Sequence, residues 1–201
     1  MALRVHRFLP LTRVEGPGAR ACVWVQGCPI RCPGCGVPWT WPEEGGTDYE
    51  VADLVAEIAR GPEVEGLTLM GGEPFAQAGE CARLAGLLRR AGLGVVTFTG
   101  YTIEEIRSTE RPGRHDLLAE TDLLIDGPYV RELADLSRPW TGSSNQRYHF
   151  LTPRYAHLEA RLDSIPNRVE VRLGADGRIE MNGMCDLSDW ESVSGTVNPF
   201  C

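Results

Sequence analysis

Apolar residues along this chain follow two alternating rhythms. Short apolar runs, β-branched and stopped by glycine or polar turns, predict strands at 19–25 (ARACVWV), 66–70 (GLTLM), 94–100 (GVVTFTG) and 121–127 (TDLLIDG). Between them the period lengthens to that of a helix. In residues 49–60, Val51, Leu54, Val55 and Ile58 fall at i, i+3, i+4 and i+7, with Asp48 as the expected N-cap and Gly61-Pro62 as the stop. Residues 78–92 place Cys81, Leu84, Ala85 and Leu88 on one face and end at Gly92. Thr102 and Glu105 have the spacing of a capping box and open a third, short helix. A further strand is expected at 147–151, and a hairpin pairs 167–173 with 178–184 across Gly174-Ala175-Asp176-Gly177.

Strands alternating with helices imply right-handed βαβ units and a parallel sheet. The expected fold is α/β: an incomplete (β/α)6 barrel of about six parallel strands with outer helices, plus a short C-terminal β-hairpin. With 201 residues the chain is one expected domain, too short for the eight-unit barrel of about 250 residues. Polar stretches at 108–116 and 131–146 read as loops, and the tail 194–201 as disordered. Ligands of such sheets bind at the carboxyl ends of the strands. The segments Cys28–Cys35, Gly71–Pro74, Thr99–Tyr101 and Asp126–Tyr129 each follow a predicted strand, so they are expected on one edge.

Composition narrows the partners. A formal net charge of −8 argues against nucleic acid or an anionic membrane, which demand a basic face. No apolar run reaches the length of a spanning helix. The N-terminus has basic residues but no apolar core of a signal peptide, which makes a cytoplasmic location the expectation. Seven cysteines without an export signal then read as metal-binding or catalytic rather than as a disulfide framework.

Cys28, Cys32 and Cys35 form C-x3-C-x2-C on an irregular stretch rich in proline and glycine. A structural zinc site takes four ligands, with a second pair further along; no such pair follows, and His115, His149 and His157 show no ligand spacing. Iron–sulfur clusters sit on such loops, and three thiolates on a four-iron cluster leave one iron open to a ligand. Zinc with a distant fourth ligand, and unliganded thiols, remain as alternatives. Cys22 and Cys81 lie on apolar faces and read as core, whereas Cys185 and Cys201 stand singly.

The cysteine loop after the first of these strands resembles the signature of the radical S-adenosylmethionine enzymes, and Gly71-Gly72-Glu73-Pro74 is similar to that family's segment for the methionine amino group. GCPIRCPGC, MGGEPF, TFTGYT, DLLIDGPYV and WTGSSNQR stand in the order found in activases of anaerobic ribonucleotide reductase, across roughly residues 8–151, leaving 152–201 as an extension. Gly36 and Val37 depart from the aromatic residue and asparagine that follow the third cysteine in many activases.

The resemblance implies a 4Fe-4S cluster on Cys28, Cys32 and Cys35, with S-adenosylmethionine against Gly71, Gly72, Glu73, Pro74, Thr99, Tyr101 and Asp126. The glycines there are expected to let backbone approach the ligand. It further implies reductive cleavage to a 5′-deoxyadenosyl radical and hydrogen abstraction from a glycine of a partner, an anaerobic ribonucleoside-triphosphate reductase-like glycyl radical enzyme, with flavodoxin or ferredoxin as electron donor. The alternatives are a radical enzyme acting on a small molecule or peptide, and a non-catalytic iron–sulfur or zinc protein.

Overall fold

The computed structural model describes residues 2–184 apart from Arg178. The tail 194–201, Cys185 and Cys201 lie outside the described residues. In chain order the elements are β1 (Leu3–Thr12), β2 (Arg20–Val25), β3 (Thr47–Tyr49), α1 (Val51–Arg60), β4 (Gly66–Gly71), α2 (Ala78–Arg90), β5 (Gly94–Phe98), α3 (Ile103–Ser108), α4 (Arg114–Ala119), β6 (Leu123–Asp126), β7 (Arg147–Phe150), β8 (Val169–Leu173) and β9 (Ile179–Gly183). Among the described residues no helix is long and apolar enough to cross a membrane.

Seven strands form one sheet in the order β3-β1-β2-β4-β5-β6-β7, and β8-β9 form a separate hairpin. The expected run of about six parallel strands is four: β2, β4, β5 and β6. Parallel neighbours need a crossover, and helices supply one between each of these four. β1 turns directly into β2, and β6 reaches β7 through a loop without an α-helix, so both flanks are antiparallel. β1 went unpredicted because its ten residues interleave His6, Arg7 and Pro10 with apolar positions. Its β3 partner covers only Leu3–Val5, so Pro10 lies beyond that pairing, next to an irregularity in the β1–β2 register. Asp48 is not a helix cap: it lies in β3 and pairs with Arg4 at 2.8 Å, while Glu50 occupies the α1 N-cap. The capping box of Thr102 and Glu105 forms as expected. Residues 114–119, within and beyond an expected loop, form α4 after a left-handed Gly113.

Among the described residues, the four α-helices bury their apolar stripes against one face of the sheet. Leu54 and Ile58 of α1, Cys81, Leu84 and Leu88 of α2, Ile106 of α3 and Leu117 of α4 pack on Val23, Leu67, Leu69, Val95 and Leu124. On the strands this set alternates with inward positions of the opposite face: Cys22 and Trp24, then Val96, Leu123 and Ile125 beneath Trp140 and Tyr155. The hairpin docks with its polar side inward. Glu170 accepts from Thr12 Oγ1 (2.9 Å) and Arg13 N (2.7 Å), and Asn182 donates to Thr12 (2.9 Å) and Glu15 (3.1 Å). Arg7 reaches Glu180 at 2.7 Å while its guanidinium covers Trp24.

The fully buried Arg20 organises the amino ends of the parallel strands. It donates to Thr68 Oγ1 (2.7 Å), Pro17 O (3.0 Å), Tyr155 Oη (2.8 Å), Gly94 O (3.0 Å) and Leu67 O. A Cβ at Gly66 would lie 2.6 Å from its guanidinium, so glycine there makes the room. Arg20→Met removes every donor and leaves buried acceptors without water. It should lower the stability of the apoprotein by about 3 kcal/mol or more, read as a shift of the urea midpoint at unchanged m. A change below about 1 kcal/mol would show that the network is dispensable.

Candidate functional site at the carboxyl edge of the sheet

The four parallel strands end together, and backbone hydrogen bonds lace the segments that follow them. Gly72 N donates to Val25 O (2.8 Å) and Glu73 N to Gly27 O (2.9 Å), tying the end of β4 to the residue before Cys28. Thr99 N donates to Ile125 O (3.0 Å), and Gly127 N to Tyr101 O (3.0 Å), tying β5 to β6. The four expected segments therefore meet on one edge.

Glu73 is the buried hub of this edge, only 1% exposed. Its Oε1 accepts from Phe75 N and Thr99 Oγ1, and its Oε2 from Gly100 N, each at 2.9 Å. Burial outweighs these donors and pushes its carboxyl up to about 7. Thr99 in turn accepts from Tyr101 N at 3.1 Å. The Tyr101 ring lies 4.1 Å beneath the Arg114 guanidinium, which donates to Phe75 O. Pro74 opens a short 3₁₀ turn and is buried. Thus Glu73, Thr99 and Tyr101 bind the strand ends to one another.

The glycines also serve the fold itself. Gly71 has φ +99°, and a Cβ there would lie 2.6 Å from Trp24 Cα. A Cβ at Gly72 would lie 2.4 Å from Gly27 O and 2.9 Å from Val25 O. The close approach they permit is to the neighbouring strand and to the root of the cysteine loop.

That loop leaves β2 through Gly27 N donating to Thr40 O (2.8 Å) and Cys28 N to Trp41 O (3.0 Å). Cys28, Cys32 and Cys35 are half-buried free thiols. Val37 N donates to Cys35 Sγ at 3.4 Å, and the backbone N–H groups of Ile30 and Arg31 favour the thiolate of Cys28 as that of Tyr129 favours the thiolate of Cys32. Burial raises the Cys28 and Cys32 thiols above their ordinary value, and these N–H groups work against that rise. Arg31 is held at φ +53°, a left-handed conformation that costs a non-glycine residue about 1–3 kcal/mol and clusters at functional sites. Among the described residues no three His, Cys, Asp or Glu side chains converge on a single-metal site. A multi-iron cluster, in which each thiolate serves a different iron, does not demand that convergence. The thiol set with its aimed N–H donors fits such a cluster.

Asp126, at the end of β6, is fully buried. It accepts from Ile103 N (2.7 Å) at the start of α3 and from Arg147 through Nε (3.0 Å) and Nη2 (2.7 Å). Arg147 also holds Glu104 (2.6 Å) and lowers that carboxyl. His149 Nε2 lies 3.0 Å from Asp126 Oδ2 without a hydrogen bond. The loop at 142–146 folds back on the segment after β6: Gln146 accepts from Gly142 N and donates to Gly127 O, and Asn145 Nδ2 donates to Pro128 O. Among the described residues, Asn145 Oδ1 is a buried acceptor without a partner. Sequence reasoning missed Tyr129 and the pairing of Arg147 with Asp126. Arg147 sits inside the motif WTGSSNQR and was findable, whereas a backbone N–H aimed at a sulfur leaves no trace in residue identity.

Residues 14–149 match the family model described as a 4Fe-4S single cluster domain. The chain is 32% identical over 159 residues to the anaerobic ribonucleoside-triphosphate reductase-activating protein of Vibrio cholerae serotype O1, covering 75% of this chain and 99% of that one. It is 29% identical over 157 residues to the protein of that name from Escherichia coli K12, covering 74% and 99%. The one from Enterobacteria phage T4 is 32% identical over 152 residues, covering 72% and 92%. Among solved structures, the crystal structure of QueE from Escherichia coli aligns with TM-score 0.45 and 22% identity over 51% of this chain and 54% of that one.

Two outcomes follow from the lacing. Gly72→Ala drives a methyl group into backbone that cannot swing aside, so it should disturb Gly27 and cost the reconstituted protein most of its iron; full iron content would uncouple the two segments. For Glu73, the folded-state value of about 7 lies above the ordinary 4.5, so the folded chain retains a proton that the unfolded chain releases. Its contribution to stability is complete below about pH 4.5 and is lost as pH rises through 7, by about 3 kcal/mol in total. Urea unfolding of the apoprotein between pH 5 and 8 should show this slope, and Glu73→Gln should flatten it. Parallel pH profiles would assign the slope to another group.

Proposed function

Because the chain belongs to the anaerobic ribonucleoside-triphosphate reductase-activating proteins, a branch of the radical S-adenosylmethionine enzymes, we propose that it installs a glycyl radical on a partner reductase. The observation that carries this reading is the shared edge: the three-thiol loop and Gly71–Pro74 are held together by the Glu73 N to Gly27 O hydrogen bond, one residue before Cys28. When bound, a 4Fe-4S cluster and S-adenosylmethionine supply one-electron cleavage of a carbon–sulfur bond, giving methionine and a 5′-deoxyadenosyl radical that takes hydrogen from a glycine Cα.

The residues of this chain divide the remaining work. Cys28, Cys32 and Cys35 would hold such a cluster and leave one iron open to the methionyl amino and carboxylate groups. Gly71–Pro74 present backbone to that amino group. Asn145 Oδ1, buried without a partner beside Gly127, offers an acceptor to the sugar or amine of the nucleoside. Thr99, Tyr101 and Asp126 keep their strand ends in register around it. The confinement of the described helices to one face supports an incomplete barrel, and the partner's glycine loop enters at the carboxyl edge, where it shuts out water. Residues 8–151 form the catalytic core, and a low-potential carrier such as flavodoxin or ferredoxin delivers the electron.

Anaerobic reconstitution should load about four irons per chain. Cys28→Ala, Cys32→Ala and Cys35→Ala should each lose most of that iron and all cleavage of S-adenosylmethionine. Incubation of the reduced wild type with its reductase should give the doublet of a glycyl radical by electron paramagnetic resonance. Stoichiometric zinc, or cofactor cleavage with no radical on the reductase, would sink the assignment.

A further inference from the structure

The segment after β6 reaches back to the cysteine loop at two points. The backbone N–H of Tyr129 favours the thiolate of Cys32. Two residues on, Arg131 opens a 3₁₀ turn of three residues and lays its guanidinium against Gly34, midway between Cys32 and Cys35. A Cβ at Gly34 would lie 2.7 Å from Arg131 Nε, 2.9 Å from Nη2 and 3.2 Å from Cζ. Gly34 itself has φ +82°, so the turn accepts a cation flat upon it because it has no side chain. Among the described residues the Arg131 guanidinium has no hydrogen bond or ion pair, so no carboxylate there neutralises it. On a chain of net charge −8, a positive charge held at this spot is a local feature, not part of a general basic surface.

We propose that Arg131 is a positioning residue for the cluster loop and raises the reduction potential of the cluster held there. The inference rests on the iron–sulfur reading of Cys28, Cys32 and Cys35. Reduction adds one negative charge to the cluster, and a neighbouring cation favours the more negative form. The contact with Gly34 keeps that cation beside the loop, where a mobile side chain would spend its time in solvent. Because Arg131 is exposed, its influence should be screened by salt.

The test is an anaerobic redox titration followed by electron paramagnetic resonance, with iron counted in each protein. Wild type, Arg131→Lys, Arg131→Gln and Arg131→Glu are compared at low and high ionic strength. Iron content should be equal in all four. The potential should fall from wild type through Arg131→Gln to Arg131→Glu, Arg131→Lys should recover most of the wild-type value, and the spread should narrow in high salt. Equal potentials in iron-replete wild type and Arg131→Glu overturn the proposal. So does loss of iron from all three variants, which makes the contact purely structural. A wild type that takes up no iron fails the cluster reading instead, a result distinguishable from either.

Discussion

The site depends on one constraint: four parallel strands must end side by side with their terminal backbone groups satisfied and no side chains between them. Glu73 meets much of it. Its two oxygens take an N–H from its own turn, a hydroxyl from Thr99 and an N–H from Gly100, so one carboxylate closes β4 onto β5. Gly71 and Gly72 let β4 approach β2 at distances that no Cβ would allow. Removing a carboxylate from water is costly, and the raised value of its carboxyl records that cost. The cost is tolerable because the hydrogen bonds fix the cysteine loop root, the Thr99 turn and the Gly71–Pro74 segment relative to one another, the kind of preorganisation a bound group requires.

The opposite end of the sheet solves a similar problem with a guanidinium. Arg20 gathers carbonyls from three chain segments at the amino ends, where parallel strands leave acceptors exposed to the core. One buried carboxyl group thus organises the carboxyl edge and one buried guanidinium the amino edge. The polar inward face of the β8–β9 hairpin follows the same logic. β1 and the turn after it offer Arg7, Thr12 and the buried Glu15, groups that need partners, so Glu170, Glu180 and Asn182 turn toward the sheet. Val171 and Leu173 are left on the outside.

Much of this was legible in the chain. Elements whose period is set by burial on one face, such as α1, α2 and the runs in β2, β4, β5 and β6, were found close to their bounds. The convergence of the four loops followed from strand order alone. What escaped depended on partners far along the chain. β1 is a strand because β2 and β3 flank it and the hairpin lies over its end; its own alternation is broken by His6, Arg7 and Pro10. The antiparallel flanks came from missing crossovers, which periodicity does not report. Site chemistry was legible where it resides in side-chain identity, as in the three cysteines. At Gly71 and Gly72 the packing against β2 was not legible, since a glycine announces a close approach without saying to what.

In the cysteine loop local and global preferences disagree. Its proline and glycine spacing excludes regular structure, Arg31 sits in a left-handed conformation, and the loop contributes nothing to the three apolar clusters. It is fixed from outside, by Thr40 and Trp41 on one flank, Gly72 and Glu73 on another, and the segment after β6 on the third. In such a loop burial keeps the Cys28 and Cys32 thiols protonated, so taking up iron must release protons and exchange S–H groups for thiolates. The N–H groups already aimed at the sulfurs then gain strength, because a charged acceptor binds them more tightly than a neutral one. The strain and the donors therefore belong to the same design: the frame stores a geometry that the free thiols barely reward and that a cluster would.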